Sequence, residues 1–376
     1  MSKNRRKIRT EFRKNHDERQ RADWTRRYRS GDAEIQDEAA RERMSGKGAL
    51  TRKRTVLGDE AAPEEAGFEV LRDVARSGAL SGRVLSVHGL ASRVLAENGR
   101  EYHCSVRGVL KSMSTELRHV VATGDRVIIT PSGEEEAVIE RVEPRSSVIC
   151  RTSKGRRHIL VSNVERVLIV SSAAEPRLKP NLIDRLLVTA EKHGIEPLIC
   201  INKVDLIDPA DLQPLVGVYG QLGYPVVLVS ATKGWGIVAL REFLRGRQSV
   251  VAGQSGVGKS SILNAIEPGL GLSVGEVSEE NQKGKHTTTS ASLIPLSFGG
   301  YVVDTPGVRQ FQLWDVIPEE VAGYYREIRP YINGCKYPNC SHTHELECAV
   351  KGAVADNQID VRRYESYCAL HAGDLE

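Results

Sequence analysis

The chain has 376 residues, which is too long for one compact α/β unit, so we expect two or three domains. No apolar run approaches the roughly 20 residues of a membrane-spanning helix, which argues against a membrane protein. The net charge of +4 is unevenly spread: residues 1–54 hold 18 Lys and Arg against 9 Asp and Glu, so they carry +9 and the remainder carries −5.

Residues 1–65 form a basic, polar extension with few branched apolar side chains, a composition typical of disorder. Clustered cations attract polyanions and release their counterions, so we interpret the extension as a contact for RNA or DNA. The alternative is a solvated tail that only keeps the protein soluble. The extension lacks the apolar stretch of a secretory signal and is too acidic for a transit peptide, so we expect a cytoplasmic protein.

Residues 80–151 form the first predicted domain, in which apolar side chains alternate with period two. Turn sequences such as Asn98-Gly99 and Ser132-Gly133 separate the strands, which we expect near residues 83–87, 101–106, 125–129 and 137–142. Several short strands in about 70 residues favour a small β-barrel of the OB-fold type, which presents a face to nucleic acid. A β-domain used only for packing is the alternative.

Residues 160–320 alternate apolar strands with segments of helical spacing, which predicts a mostly parallel sheet covered on both faces. We expect strands at residues 167–170, 197–201, 226–229, 250–252 and 301–303, and helices at residues 180–193, 209–222, 236–245 and 261–266.

The octapeptide GQSGVGKS at residues 253–260 fits the P-loop pattern GxxxxGK[ST] and stands between a predicted strand and a predicted helix, as that motif requires. Its glycines allow backbone amides to surround phosphates, and the helix N-terminus adds its positive end. Lys259 is expected to reach the β- and γ-phosphates, and Ser260 to offer its hydroxyl to Mg²⁺.

The tetrapeptide Asn202-Lys203-Val204-Asp205 follows a predicted buried strand and fits the guanine-recognition pattern NKxD. An Asp carboxylate can accept hydrogen bonds from both N1–H and the N2 amino group of guanine, which adenine cannot provide. Ser230-Ala231, after the next strand, supplies the loop that braces the base. These residues favour GTP over ATP and argue against a P-loop kinase or ATPase.

Two further motifs follow the P-loop. Asp304-Thr305-Pro306-Gly307 fits DxxG, in which the Asp holds Mg²⁺ through water and the Gly amide senses the γ-phosphate. Residues 286–289 read HTTT and occupy the place of a switch segment with a Mg²⁺-binding Thr, which we assign to Thr288, although spacing does not distinguish the three. Val308 stands where Ras-like enzymes have a catalytic Gln, so His286 is the candidate catalytic residue, with phosphate contact or packing as its alternative.

The order of these motifs is circularly permuted, because NKxD and Ser230-Ala231 precede the P-loop instead of following DxxG. The same site can still form, since all the motifs are loops at the carboxyl ends of strands. The candidate residues for GTP or GDP and Mg²⁺ are Asn202, Lys203, Asp205, Ser230, Ala231, Gly253, Gln254, Ser255, Gly256, Val257, Gly258, Lys259, Ser260, Ser261, Thr288, Asp304 and Gly307.

Residues 321–376 are predicted to form a small α-rich zinc-binding domain. Three of the seven cysteines, Cys335, Cys340 and Cys348, fall with His342 within fourteen residues. Three thiolates and one imidazole suit a tetrahedral Zn²⁺ site that leaves no position open for catalysis, so we expect a structural zinc ion. His344 is an alternative ligand to His342.

From about residue 80 to 370 the chain resembles the RsgA (YjeQ) family of small-ribosomal-subunit-dependent GTPases. The resemblance rests on the P-loop with Leu263-Asn264, the GKHTTT segment at residues 284–289, the DTPGVR segment at residues 304–309 and the Cys/His cluster. The chain departs from the family in its longer N-terminal extension and in residues 345–347, which read ELE in place of an expected Pro-Gly turn.

The resemblance implies three domains: an OB-fold barrel, a circularly permuted α/β P-loop GTPase domain and a zinc domain. It implies hydrolysis of GTP to GDP and phosphate when the protein binds the small (30S) ribosomal subunit and its rRNA, during late subunit maturation, with His286 as the catalytic group. The alternative is a nucleotide-gated RNA-binding assembly factor in which hydrolysis is dispensable. We expect a monomer that acts with other assembly factors and has no membrane partner.

Overall fold

The structure is a computed structural model that describes residues 78–89, 91–107, 121–153, 156–272, 291–304 and 316–373, with three short strands nearer the N-terminus. Strands β1 (Arg6–Glu11), β2 (Lys53–Asp59) and β3 (Glu69–Val70) pair antiparallel in that order. They give a defined backbone to parts of the extension for which the sequence predicts disorder. The rest of the extension lies outside the described residues.

The first domain is a closed five-stranded barrel. Its strands are β4 (Leu80–His88), β5 (Ala91–Ala96), β6 (Glu101–Val106), β7 (Arg126–Pro131) and β8 (Glu136–Val142). They pair in the order β4-β5-β6-β8-β7, and β7 returns to β4, so every strand edge is paired. Only the β6–β8 pair is parallel among these contacts. Alternate side chains, including Val84, Tyr102 and Ile139, fill the interior, which confirms the predicted OB-like barrel.

An antiparallel hairpin that the sequence analysis does not predict connects the barrel to the second domain. It consists of β9 (Val148–Ser153) and β10 (Arg156–Ser162). The hairpin spans the end of the predicted barrel domain at residue 151 and the predicted start of the α/β domain at residue 160.

The second domain is an α/β unit built on a six-stranded sheet. Its elements are β11 (Arg166–Ser172), α1 (Pro180–Lys192), β12 (Glu196–Asn202), α2 (Gln213–Gln221), β13 (Val226–Leu228), α3 (Ile237–Leu244), β14 (Gln248–Ala252), α4 (Lys259–Ile266), β15 (Ser292–Pro295) and β16 (Tyr301–Asp304). The strand order is β13-β12-β11-β14-β16-β15, and all neighbours are parallel except β15 and β16. Strand β15 also pairs with β4 of the barrel, so the two domains share one continuous sheet.

Helical periodicity explains how the sheet is covered. Helix α1 begins with Pro180, whose fixed φ suits a first helical turn, and its side chains Ile183, Leu186 and Leu187 recur at helical spacing and are buried. They join the apolar cluster on one face of the sheet, while α3 and α4 bury their apolar side chains in the cluster on the other. The predicted doubly covered parallel sheet is therefore confirmed.

The C-terminal domain is helical. It contains α5 (Val321–Tyr324), a 3-10 helix (Arg329–Gly334), α6 (Ala349–Ala355) and α7 (Val361–His371). Asp360 caps α7 by accepting a hydrogen bond from the Arg363 amide at 3.1 Å. The apolar cluster of this domain includes Val188 of α1, so the domain packs directly against the α/β unit. Of the helices that the structure describes, none has both the length and the apolar character that a membrane crossing requires.

Candidate nucleotide and metal sites

The P-loop follows β14 and leads into α4, as the sequence predicts. Gly253, Gly256 and Gly258 have φ values of 148°, 79° and 93°, a region that side chains with a Cβ rarely adopt. A Cβ on Gly253 would lie 2.1 Å from the Val170 carbonyl oxygen of β11, so this strand leaves room for glycine alone. Because these positions are glycines, the loop backbone can fold back on itself and leave its amide groups available to phosphate oxygens.

Asn202 joins the P-loop to the guanine-recognition loops. Its side-chain Nδ2 donates to the Val257 carbonyl oxygen at 2.9 Å, and its Oδ1 accepts from the Ala231 amide at 3.2 Å. A Cβ on Gly258 would lie 2.4 Å from the same Nδ2, which explains the close approach of the two segments. Three motifs from separate parts of the permuted sequence thus meet at one buried side chain.

Asp205 lies beside the Ser230 hydroxyl. The hydrogen bond from Ser230 holds the pKa of the Asp205 carboxyl below its ordinary value, so the group is ionised at neutral pH. An ionised carboxylate accepts hydrogen bonds at both oxygens, which is the chemistry that N1–H and N2 of guanine require. The preceding Lys203 adopts a left-handed conformation with φ 63°, and its ammonium group donates to the Glu175 carbonyl oxygen.

The loop after β13 is closed by contacts that the sequence analysis does not anticipate. Ser230 and Trp235 exchange backbone hydrogen bonds of 3.2 and 3.1 Å, and the Ser230 hydroxyl accepts from the Lys233 amide at 3.2 Å. A Cβ on Gly236 would lie 2.5 Å from the Leu228 carbonyl oxygen. The glycines that flank Trp235 are the only sequence signal of this tight closure.

The P-loop lysine crosses its own loop. The Lys259 ammonium group donates to the carbonyl oxygens of Gly253 and Gln254 at 2.8 and 2.7 Å. Ser260 and Ser261 lie half-buried in the first turn of α4, and Ser255 is exposed on the loop. The lysine and the amides of the first turn therefore occupy the same end of the sheet.

Of the predicted site residues, three lie outside the described residues, and for Asp304 only the backbone is described. Asp304 ends β16, which runs parallel to β14, so its backbone lies at the sheet edge that carries the P-loop. The Asp304 side chain lies outside the described part of the structure, as do His286, Thr288 and Gly307. Their assignments remain predictions from the sequence.

The C-terminal cysteines and His342 converge in the structure. The candidate ligand atoms of Cys335, Cys340, His342 and Cys348 all lie within 4.8 Å of one another. The Sγ atoms of Cys335 and Cys348 are 3.8 Å apart, and these atoms lie 3.4 and 3.5 Å from the His342 Nδ1. Ligands about 2.3 Å from a tetrahedral zinc ion are about 3.8 Å from each other, so the cluster fits zinc.

The two histidines lie in different surroundings, which favours His342 as the ligand. His342 is 3% exposed and faces the thiols, with a left-handed φ of 59° that turns its side chain inward. The His344 side chain is 83% exposed. Two tyrosines of α7 hold the ligand loop, since Tyr364 donates to the His342 carbonyl oxygen and Tyr367 to the Ser341 carbonyl oxygen, both at 2.7 Å.

Comparison with known proteins places the chain among GTPases. It matches the family described as RsgA GTPase over residues 142–314. A protein of Thermotoga petrophila called small ribosomal subunit biogenesis GTPase RsgA is 42% identical over 277 residues, which cover 73% of this chain and 89% of the relative. A protein of the same name from Bacteroides fragilis is 36% identical over 297 residues, covering 77% and 96%.

Two solved structures resemble this one along most of their length. The crystal structure of YjeQ from Thermotoga maritima has a TM-score of 0.66 and 38% identity, covering 79% of this chain and 99% of that one. The structure of YloQ, which its title describes as a circularly permuted GTPase, has a TM-score of 0.63 and 28% identity, covering 81% and 98%.

Proposed function

Because this chain belongs to the RsgA GTPase family, we propose that it hydrolyses GTP to GDP and phosphate in the biogenesis of the small ribosomal subunit. The observation that carries this proposal is the double contact of Asn202, which assembles a phosphate loop and a guanine-recognition loop from permuted motifs. We propose further that hydrolysis follows binding of the protein to the subunit during late maturation of the subunit.

We assign the nucleotide to the sheet edge that carries Gly253, Lys259 and Asp205. The P-loop amides and Lys259 face the phosphates, and the Asp205 carboxylate accepts from guanine. The residues that would hold Mg²⁺ are Ser260, Thr288 and Asp304, and the ion supplies charge neutralisation of the phosphate oxygens. This division of roles is supported by the positive φ of the P-loop glycines and the lowered pKa of Asp205.

We assign catalysis to His286. Its support is its position in the switch segment between the P-loop and DxxG, together with Val308, which offers no polar atom to orient water. An enzyme without a fixed water-positioning side chain turns over slowly until a partner orders the switch. The proposed partner is the small subunit, because that subunit gives the relatives their name.

We propose that Cys335, Cys340, His342 and Cys348 hold one structural zinc ion, since four protein ligands complete a tetrahedral shell. The barrel and the basic extension are the proposed contacts to ribosomal RNA, because the extension carries +9 and OB-type barrels present a face to nucleic acid. A factor that acts on ribosomal subunits works in the cytoplasm, where we place this protein as a monomer.

The variant His286→Ala distinguishes the GTPase from the alternative of a nucleotide-gated placeholder. If His286 is catalytic, subunit-stimulated kcat falls at least about a hundredfold while the affinity for GTP stays near that of the wild type. Loss of subunit maturation in cells that carry only this variant supports the proposal. His193→Ala, which alters a histidine next to the end of α1, is the control and keeps both properties.

An His286→Ala protein that no longer hydrolyses GTP but still supports subunit maturation would favour the placeholder instead. Wild-type hydrolysis by the variant would remove the catalytic assignment altogether.

A further inference from the structure

One buried turn of the barrel contacts both the strand that leads to the P-loop and the chain just after the switch motif. This segment, the barrel turn, consists of residues 121–125 and precedes β7. All five of its residues are buried, although turns between strands are usually exposed. Thr123 also forms a parallel bridge with Val161 of β10. The burial arises because the α/β domain covers the turn.

The shape of the barrel turn is fixed by Asp125. Its carboxylate accepts from the Ala122 amide at 2.7 Å and from the Ser162 hydroxyl at 2.6 Å. Arg145 donates to the two oxygens of the same carboxylate at 2.7 and 2.8 Å. A side chain that is fully buried and bonded on both oxygens makes the turn rigid, so displacements at one end reach the other.

The barrel turn abuts the strand that leads to the P-loop. A Cβ on Gly124 would lie 2.3 Å from the Ser162 carbonyl oxygen and 2.5 Å from the Gln248 Nε2. Gln248 is the buried first residue of β14, whose far end continues into the P-loop. Its Nε2 donates to the Ser162 carbonyl oxygen at 2.6 Å, and its Oε1 accepts from Arg83 of β4 at 2.6 Å. No space separates the barrel from this strand.

The barrel turn also holds the residue at which the chain re-enters the sheet after the switch motif. The Thr123 hydroxyl donates to the Ala291 carbonyl oxygen at 3.0 Å, and both residues are buried. Ala291 comes two residues after Thr289, the last residue of the motif. The next residue, Ser292, pairs with Ser86 of β4. The chain at Ala291 and Ser292 is therefore attached to the barrel by a side chain and by a strand pairing.

We propose that Thr123 is a positioning residue for GTP hydrolysis, through which a ligand bound to the barrel sets the position of the chain at the exit of the switch motif. The inference rests on the proposed function, because it takes the barrel ligand to be the small ribosomal subunit. Coupling of binding free energies between two sites is reciprocal, so we expect the bound nucleotide to change the affinity of the barrel for its ligand, and with it the stability of the barrel turn that joins the two. Packed side chains, hydrogen-bond networks and rigid elements carry such coupling, and the barrel turn with its Asp125 network and the Thr123 hydrogen bond is a continuous set of such contacts.

The first test measures GTP hydrolysis by the full-length protein with and without purified small ribosomal subunits. Thr123→Val keeps the shape of the side chain but removes the donor, so the ratio of stimulated to basal kcat falls about fivefold, or about 1 kcal/mol, while KM for GTP stays within twofold. Thr123→Ser retains the hydroxyl and restores the ratio. Thr130→Val, a matched change on β7, leaves the ratio unchanged.

A Thr123→Val protein that is folded and stimulated like the wild type overturns the inference. Equal loss in Thr123→Val and Thr123→Ser also overturns it, because the hydroxyl would then not be the cause. If the subunit does not stimulate the wild type at all, the proposed function fails, and a second experiment decides the inference independently.

The second test needs no subunit. Amide hydrogen exchange is compared between the GDP-bound protein and the protein bound to a non-hydrolysable GTP analogue. The coupling predicts that exchange of residues 121–125 differs between the two nucleotides in the wild type and in Thr123→Ser, and that the difference is lost in Thr123→Val. Identical exchange of these amides with both nucleotides in the wild type contradicts the inference, whatever the stability of the valine variant.

Discussion

The Asn202 amide occupies the point at which loops from distant parts of the sequence meet. Its nitrogen and oxygen face different segments, so one planar group fixes the distance between the phosphate loop and the loop after β13. A shorter or apolar side chain would leave the Val257 carbonyl and the Ala231 amide without these partners. Buried backbone groups that lose a partner cost about 1–3 kcal/mol each.

We expect guanine selectivity to depend on the Asp205 carboxylate. We predict that Asp205→Asn lowers the affinity for GDP about a hundredfold or more and raises the affinity for xanthosine diphosphate, because an amide donates where the carboxylate accepts. Titration of both nucleotides against the purified variant measures this shift. Asp208→Asn, three residues further on in the same loop, is the matched control, since Asp208 caps a 3-10 helix by accepting from the Ala210 amide.

Unchanged preference for GDP in Asp205→Asn would show that another residue recognises the base. A similar shift in Asp208→Asn would show that the loop fold, and not the Asp205 carboxylate, determines selectivity.

Residue types and spacing were sufficient to predict the P-loop and the guanine loop, because each is a contiguous motif. They could not choose between His342 and His344, since both spacings suit a zinc loop. The choice depends on the left-handed backbone at His342, which turns one imidazole inward and leaves the other in solvent. Nor could spacing reveal the hydrogen bonds from Tyr364 and Tyr367, which depend on how α7 packs against the loop.

At the scale of elements, buried ion pairs attach the C-terminal domain to helix α1. Arg363 of α7 is 1% exposed and donates to Asp184 of α1 and to Glu327, in both cases at 2.6 Å. The Tyr219 hydroxyl of α2 donates to the same Asp184 oxygen at 2.6 Å. Removing one partner of a buried ion pair leaves an uncompensated charge, so the loss of Arg363 or of Asp184 alone would destabilise the contact between α7 and α1. No local pattern predicts this network, because residues 184 and 363 are far apart in the chain.

If the Cys/His cluster holds zinc, the metal stabilises the elements on either side of the cluster. Metal analysis of the purified protein is expected to give about one zinc per chain, and His342→Ala is expected to lose the metal while His344→Ala retains it. Because Cys348 directly precedes α6, loss of the metal also lowers the thermal stability of the C-terminal domain. Thermal unfolding followed with and without a chelator measures that effect.

Zinc retained by His342→Ala but lost by His344→Ala would reverse the ligand assignment. A wild-type protein that is folded, free of zinc and insensitive to the chelator would remove the zinc site.

At the scale of the whole molecule, the permuted order makes DxxG the last GTPase motif, directly before the C-terminal domain in the chain. Local patterns were enough to predict the three domains, because period-two and helical spacing are visible in short windows. The pairing of β15 with β4 could not be predicted, since it joins residues about 200 positions apart and depends on how two domains meet. The hairpin β9–β10 was missed for a different reason: its strands are adjacent in the chain but lie at the junction between two recognisable patterns.

The charge of the basic extension is expected to affect how the whole molecule binds the small subunit. We predict that replacing the Lys and Arg of residues 1–54 with Gln, which keeps the length of the chain, weakens binding to the small subunit and reduces the salt dependence of that binding. Affinity measured across a series of salt concentrations gives both quantities. The control replaces six exposed cations outside the extension with Gln, namely Arg177, Lys179, Lys233, Arg245, Arg329 and Lys336, and is compared with a variant in which six cations of residues 1–54 are replaced.

Unaltered affinity and salt dependence in the charge-neutralised extension would leave it as a solubilising tail. Equal weakening in the control would show that general charge, and not the extension, determines binding.

The central claim is that this GTPase is switched on by the small ribosomal subunit, and the rate of GTP hydrolysis with and without purified subunits tests it most directly. The account predicts slow turnover by the protein alone and an increase of at least about tenfold when subunits are added, with GTP but not with ATP. Equal turnover in the presence and absence of subunits, or the same increase with ATP, would contradict it.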